Sequence, residues 1–203
     1  ALRYARHSPA IFAQLVRTAG FSGLGSALWA LLPVIAQQRL GLGAAGYGLL
    51  MACLGTGAVA AGFFVGRMRS RFSLDALAAG CCLVFSSAML VGALSTWRPL
   101  VCASFALGGA AWMTMMSTFN AATQTSAPAW VRARAASMHT LCSLGAFALG
   151  SALWGAMSSL IGLSAALCLS AAGMLASIAL ARPYPLRMGA DDEVTLAPLH
   201  EEF

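Results

Sequence analysis

The chain has 203 residues, 60% of them hydrophobic and only 9% charged, with a mean hydropathy of +0.80. A soluble domain is roughly 45–50% apolar and about 25% charged, so there is too little charge here to cover a water-facing surface. That excludes a nucleic-acid-binding domain and an ordinary cytosolic enzyme. It points to an all-α polytopic membrane protein embedded in a lipid bilayer.

The net charge of +6 is distributed unevenly. All twelve basic residues are Arg, and five of the six acids (Asp191, Asp192, Glu193, Glu201, Glu202) fall in the last thirteen residues, leaving Asp75 alone in the body. Such a basic excess anchors loops at one membrane face rather than forming a nucleic-acid groove. The six Cys lie within apolar stretches without metal-ligand spacing. They read as small packing residues, and neither a metal nor a cofactor is expected.

Residues 1–8 (ALRYARHS) are polar and basic and lack the order of regions a signal peptide needs. Ser8 suits an N-cap and Pro9 the first helical position, so a helix is expected to begin there. The mixed polarity of PAIFAQLVR (9–17) places residues 1–17 as a linker at the cytoplasmic membrane interface. Residues 18–182 then carry six apolar runs near the ~20 residues that cross a bilayer core. The runs are approximately 18–36, 47–65, 74–94, 100–126, 135–157 and 163–181. They are Ala/Leu-rich and do not alternate, which predicts helices rather than a barrel. Pro183 and Pro185 stop the last helix, and 183–203 reads as an acidic tail.

Orientation follows from the arginines. Loops on the amino-terminal side carry ten (Arg3, Arg6, Arg17, Arg67, Arg69, Arg71, Arg132, Arg134, Arg182, Arg187), the opposite side only Arg39 and Arg98. This predicts six spans with both termini in the cytoplasm.

Helices in lipid approach closely through small residues. Ala58–Gly62, Gly62–Gly66, Ala146–Gly150 and Ser151–Gly155 are small-xxx-small pairs, concentrated in the second and fifth spans. Such glycines mark either tight static packing or helices that slide and bend.

Gly20-Phe21-Ser22-Gly23 matches the GxSG pattern of rhomboid proteases, which pair their serine with a histidine, and His139 lies in a later span. Those enzymes place the serine after three earlier spans, whereas Ser22 opens the first, so no catalytic residue is assigned. GTGAVAAG (55–62) lacks the Lys-Ser/Thr of a P-loop and lies mid-span. Among polar residues at membrane depth, Ser117, Asn120 and Gln124 share one face of the fourth span at spacings of three and four. The two amides either clamp neighbouring helices or line a water-filled pathway, because an amide without a partner is costly in hydrocarbon.

Six spans, two Arg-bearing loops on one face and both ends inside resemble one half of a major facilitator superfamily transporter. LRYARHSPA, SALWALLPVIAQQRLGLGAAGYGLL, STFNAATQTSAPAWVRARAASMHTL and GSALWGAMSSLIGLSAAL resemble the carboxy-terminal half of the branch containing the enterobactin exporter, the transmembrane secretion effector family. The superfamily's loop pattern G-x-x-x-D-R-x-G-R-R/K resembles 62–71, with Gly66 where the Asp would stand and Arg69 where the Gly would stand.

The resemblance implies a cytoplasmic gate at Arg67, Arg71 and Asp75. It also implies a central cavity faced by the first and fourth spans, with Ser22, Ser26, Trp29, Trp112, Met116, Asn120 and Gln124 as candidates. The second and fifth spans would contact another six-helix half, either a missing amino-terminal half or a second copy. The function implied is secondary active export of a siderophore or drug-like small molecule by alternating access in a bacterial inner membrane. The alternative is a truncated six-helix remnant or subunit without transport of its own.

Overall fold

The computed structural model describes residues 9–126, 130 and 132–180. The expected Ser8 cap, the terminal linker arginines, Pro183, Pro185 and the acidic tail lie outside the described residues. Pro9 opens α1 (Pro9–Val34), which runs without a break through the segment expected at the interface. Pro33 has no N–H to donate back along the helix, and the turn after it widens into a π-helical turn, Ile35–Arg39. Gly41, at φ +61°, supplies the left-handed residue that ends this helix.

The chain continues as α2 (Ala44–Arg71), α3 (Leu74–Leu94), α4 (Arg98–Thr125), α5 (Arg132–Ile161) and α6 (Leu163–Leu180). Ser73 caps α3 by accepting from Ala76 N at 3.3 Å, with Asp75 in the first turn where the helix dipole favours an acid. Pro99 opens α4. Only Gly162, at φ +86°, separates α5 from α6.

All six helices are long and apolar enough to cross a membrane, and the described residues contain no strand. The chain is an all-α, multi-pass membrane protein. At 28 residues each, α2 and α4 are about 42 Å long and project beyond a hydrocarbon core of about 30 Å.

The most extensive pairings are α1 with α5 and α2 with α4, followed by α3 with α4 and α3 with α6. Exchanging α1 for α4, α2 for α5 and α3 for α6 maps the first pairing onto the second. The two principal pairings are therefore related by exchanging the first three helices for the last three, the relation that two three-helix repeats would give.

Small residues permit both principal pairings. A Cβ on Gly57 of α2 would lie 1.7 Å from the Ala106 carbonyl oxygen of α4, and one on Gly109 would lie 1.9 Å from the Leu54 carbonyl oxygen. In the second pairing, a Cβ on Gly150 would lie 2.3 Å from the Gly23 carbonyl oxygen.

Other glycines of α2 and α5 meet no neighbour among the described residues. Gly55, Gly62 and Gly66 of α2, and Gly145 and Gly155 of α5, have nothing there within 4 Å of a Cβ position. These two helices are also the least enclosed. Only 22% of the apolar window of α2 and 11% of that of α5 is buried, against 56% for α1.

Candidate functional site

The polar side chains fall into three groups. The first is sealed in the α1–α5 seam. Ser22 is fully buried, its hydroxyl 3.0 Å from Ser143 Oγ. Ser26, also fully buried, donates to the Gly23 carbonyl of its own helix at 2.8 Å. Trp154 Nε1 donates to that same carbonyl from α5 at 2.9 Å, and Thr18 Oγ1 lies 3.5 Å from Nδ1 of the buried His139. Hydrogen bonds within α1 for Ser26, and between α1 and α5 for the others, satisfy these groups away from water, as a membrane interior requires. Ser22 is thus paired with Ser143 rather than with His139.

The second group is aromatic. Trp112 of α4 packs against Phe21 and Trp29 of α1, Phe85 of α3 and Phe147 of α5, with ring centroids 5.2 to 5.9 Å apart. Gly25 makes room for it, since a Cβ there would meet the Trp112 ring at 2.6 Å. Trp29 and Trp112 are half-buried, and the Trp29 Nε1 hydrogen is buried without an acceptor among the described residues. Met116 is half-buried beside them and receives a weak bond from Ser143 Oγ at 3.7 Å.

The third group faces outward along α4. Met113, Ser117, Asn120 and Gln124 follow one another at helical spacing; Ser117 is half-buried and the other three are exposed. Gln124 Nε2 donates to Asn120 Oδ1, so the two amides bond along their own helix and clamp no other helix among the described residues.

At the Arg-rich end the arginines separate by partner. Arg67 and Arg71 are exposed, whereas Arg69 turns inward, donating from Nη2 to Ser117 Oγ at 2.7 Å and from Nε to Thr118 Oγ1 at 3.1 Å. Asp75 is ion-paired with Arg17 of α1, not with the arginines of the 66–71 segment. That pair lines a cavity of about 590 Å³ between α1, α3, α4 and α6, floored by Phe21 and Met115. At the opposite end Arg98 Nη2 donates to the Leu40 carbonyl at 3.3 Å, and Arg39 donates to Ser164 Oγ. Ser164 Oγ in turn donates to the Ala93 carbonyl at 3.1 Å.

Two of these ties escaped the sequence reading. The Ser117–Asn120–Gln124 face was legible from its spacing, but nothing in the sequence separates Arg69 from its neighbours. Arg17 likewise looked like a topological charge only.

A family model for transmembrane secretion effectors matches residues 1–203. The chain belongs to the transmembrane secretion effector family. Members are transporters of the major facilitator type, and the relation between the two principal helix pairings agrees with that membership. No curated protein matches this secretion effector.

Proposed function

We propose that this secretion effector is the carboxy-terminal six-helix half of a secondary active transporter that exports a small amphipathic molecule by alternating access. The observation that carries this reading is the open faces of α2 and α5, where five glycines meet nothing among the described residues. A bundle that is complete in lipid gains nothing from glycine on a lipid-facing surface. Close approach by a second bundle needs it. The partner is an amino-terminal six-helix half or a second copy of this chain.

On this reading the outward stripe of α4, with Asn120, Gln124 and the neighbouring Met116, lines the pathway between the halves. The half-exposed edges of Trp29 and Trp112 suit a partly aromatic solute. Ser22, bonded to Ser143, would act by holding α1 against α5 as the bundle rocks, with Ser26 sealed beside it. Arg67, Arg71 and Asp75 sit at the end where a gate would close, with both termini in the cytoplasm of a bacterial inner membrane. The family resemblance favours a siderophore or drug-like compound as cargo.

The test is accumulation of an aromatic dye in vesicles carrying the protein with its native partner, under an imposed ion gradient. Gly62→Leu and Gly145→Leu should leave the six-helix fold intact and abolish both association and transport. Association and transport that survive both substitutions would sink the two-half reading and favour a six-helix subunit that does not transport by itself.

A further inference from the structure

The guanidinium of Arg69 is half-buried and held only by neutral hydroxyls, those of Ser117 and Thr118. Asp75, the one acid among the described residues, is engaged by Arg17. Two N–H groups of Arg69 are used on α4, and the remaining donors of the fork have no protein partner among the described residues. A partly desolvated cation braced in this way is positioned rather than neutralised, because hydroxyl dipoles fix its direction without cancelling its charge.

One of its two partners, the half-buried Ser117, begins the outward stripe, so the inward-turned guanidinium meets that stripe at its edge. One helical step further along that face, Asn120 has its oxygen occupied by Gln124, which leaves its NH₂ group as an outward donor. A charged fork, held on Ser117, and an amide NH₂ one helical step along thus share one end of α4, and the one carboxylate among the described residues, Asp75, is paired with Arg17. That donor set matches an oxyanion, and it would repel a cationic solute.

We propose that Arg69, Ser117 and Asn120 form a binding site for a carboxylate or phosphate group, carried either by the transported molecule or by an anionic lipid headgroup. As a statement about cargo, this rests on the transport reading above. As a statement about a site, it does not. The bracing hydroxyls keep the fork fixed, so binding costs little ordering of the side chain.

The experiment uses the full chain in phosphatidylcholine bicelles with inorganic phosphate as the probe. It reads the midpoint of thermal unfolding against chloride at matched ionic strength. Phosphate should stabilise the protein. Arg69→Gln should weaken the apparent affinity about tenfold or more, the usual consequence of losing a charge-assisted pair. Arg134→Gln, which removes an exposed charge from the same end of the bundle, should leave the affinity unchanged.

Bicelles containing phosphatidylglycerol separate the two sources. If the phosphate response disappears there in an Arg69-dependent way, the occupant is a lipid headgroup. If it persists, the occupant is a soluble anion. Should Arg69→Gln fail to fold, Asn120→Leu on the exposed face reads the same weakening, and unchanged affinity in that variant overturns the site. An equal response of wild type and Arg69→Gln overturns it too, as does no response to either anion. A protein that binds phosphate but transports nothing sinks the transport reading alone, and one that transports but ignores phosphate sinks this site alone.

Discussion

Gly150 of α5 lies so close to Gly23 of α1 that a Cβ on it would sit 2.3 Å from the Gly23 carbonyl oxygen and 2.4 Å from Ser26 Oγ. The obstacle is backbone of a packed helix, which cannot rotate away as a side chain can. Gly150→Ala, and Gly57→Ala at the 1.7 Å approach to Ala106, should each cost about 1–3 kcal/mol through forced separation of the helices. Gly155→Ala, on the open face of the same helix as Gly150, should stay within about 0.5 kcal/mol of wild type when the chain is studied alone. Equilibrium unfolding in bicelles measures all three. Equal effects at Gly150 and Gly155 would refute the seam as described.

Trp29 and Trp112 touch edge to face at 5.7 Å, yet they should respond differently to substitution. Trp112 is the hub of the aromatic cluster, and Trp112→Ala should cost about 3–5 kcal/mol by opening a cavity among four rings. The Trp29 indole hydrogen is buried without an acceptor among the described residues. Trp29→Phe keeps most of the ring and removes an unsatisfied donor, so stability should be unchanged or slightly raised. If that variant unfolds readily, the indole hydrogen has a partner after all. If it is stable but handles dye poorly, the hydrogen serves the solute.

How far the sequence went is clearest from pairs of residues that look alike in it. The six spans, the helix start at Pro9 and the Ser117–Asn120–Gln124 face are written in run length, turn residues and spacing. Which way Ser22 and Asn120 point is not. In water a polar stripe marks the outside of a helix, but in lipid both core-facing and lipid-facing positions are apolar, and the signal vanishes. Ser22 and Ser26, pathway candidates by the family resemblance, lie in a seam, while Asn120 and Gln124, suited either to clamping or to lining a pathway, face outward. The glycines divide in the same way. Gly57 and Gly62 sit one turn or so apart on α2, one pressed against α4 and the other open. Only the position of the neighbouring helix separates them.

The Arg17–Asp75 pair joins α1 to α3 with side chains 11% and 50% exposed. With Asp75 half in water, a double-mutant cycle on Arg17→Gln and Asp75→Asn should give a coupling of about 1 kcal/mol that shrinks as salt is added. Exchanging the two residues, Arg17→Asp with Asp75→Arg, should recover part of the stability lost in either single charge reversal. No coupling in the cycle and no recovery in the exchange would reduce Arg17 to a topological charge, with the cavity between α1, α3 and α6 held open by packing alone.

The arginine distribution places the 66–73 turn and the 95–99 turn on opposite sides of the membrane, and the alternation of the helices requires the same separation. On the proposed reading, with ten arginines on the amino-terminal side against two on the other, the 66–73 turn is the cytoplasmic one. In a background with the six native cysteines replaced, Thr96→Cys should react with an impermeant maleimide added to intact cells, and Ser70→Cys should react only after the cells are opened. Ser70 is exposed and its hydroxyl donates only to the Arg67 carbonyl at 2.9 Å, so a lack of labelling there reports sidedness rather than burial. The reverse pattern would turn the bundle over. The Arg69 site would then open to the outside, and any anion it holds would be met on exit rather than on entry.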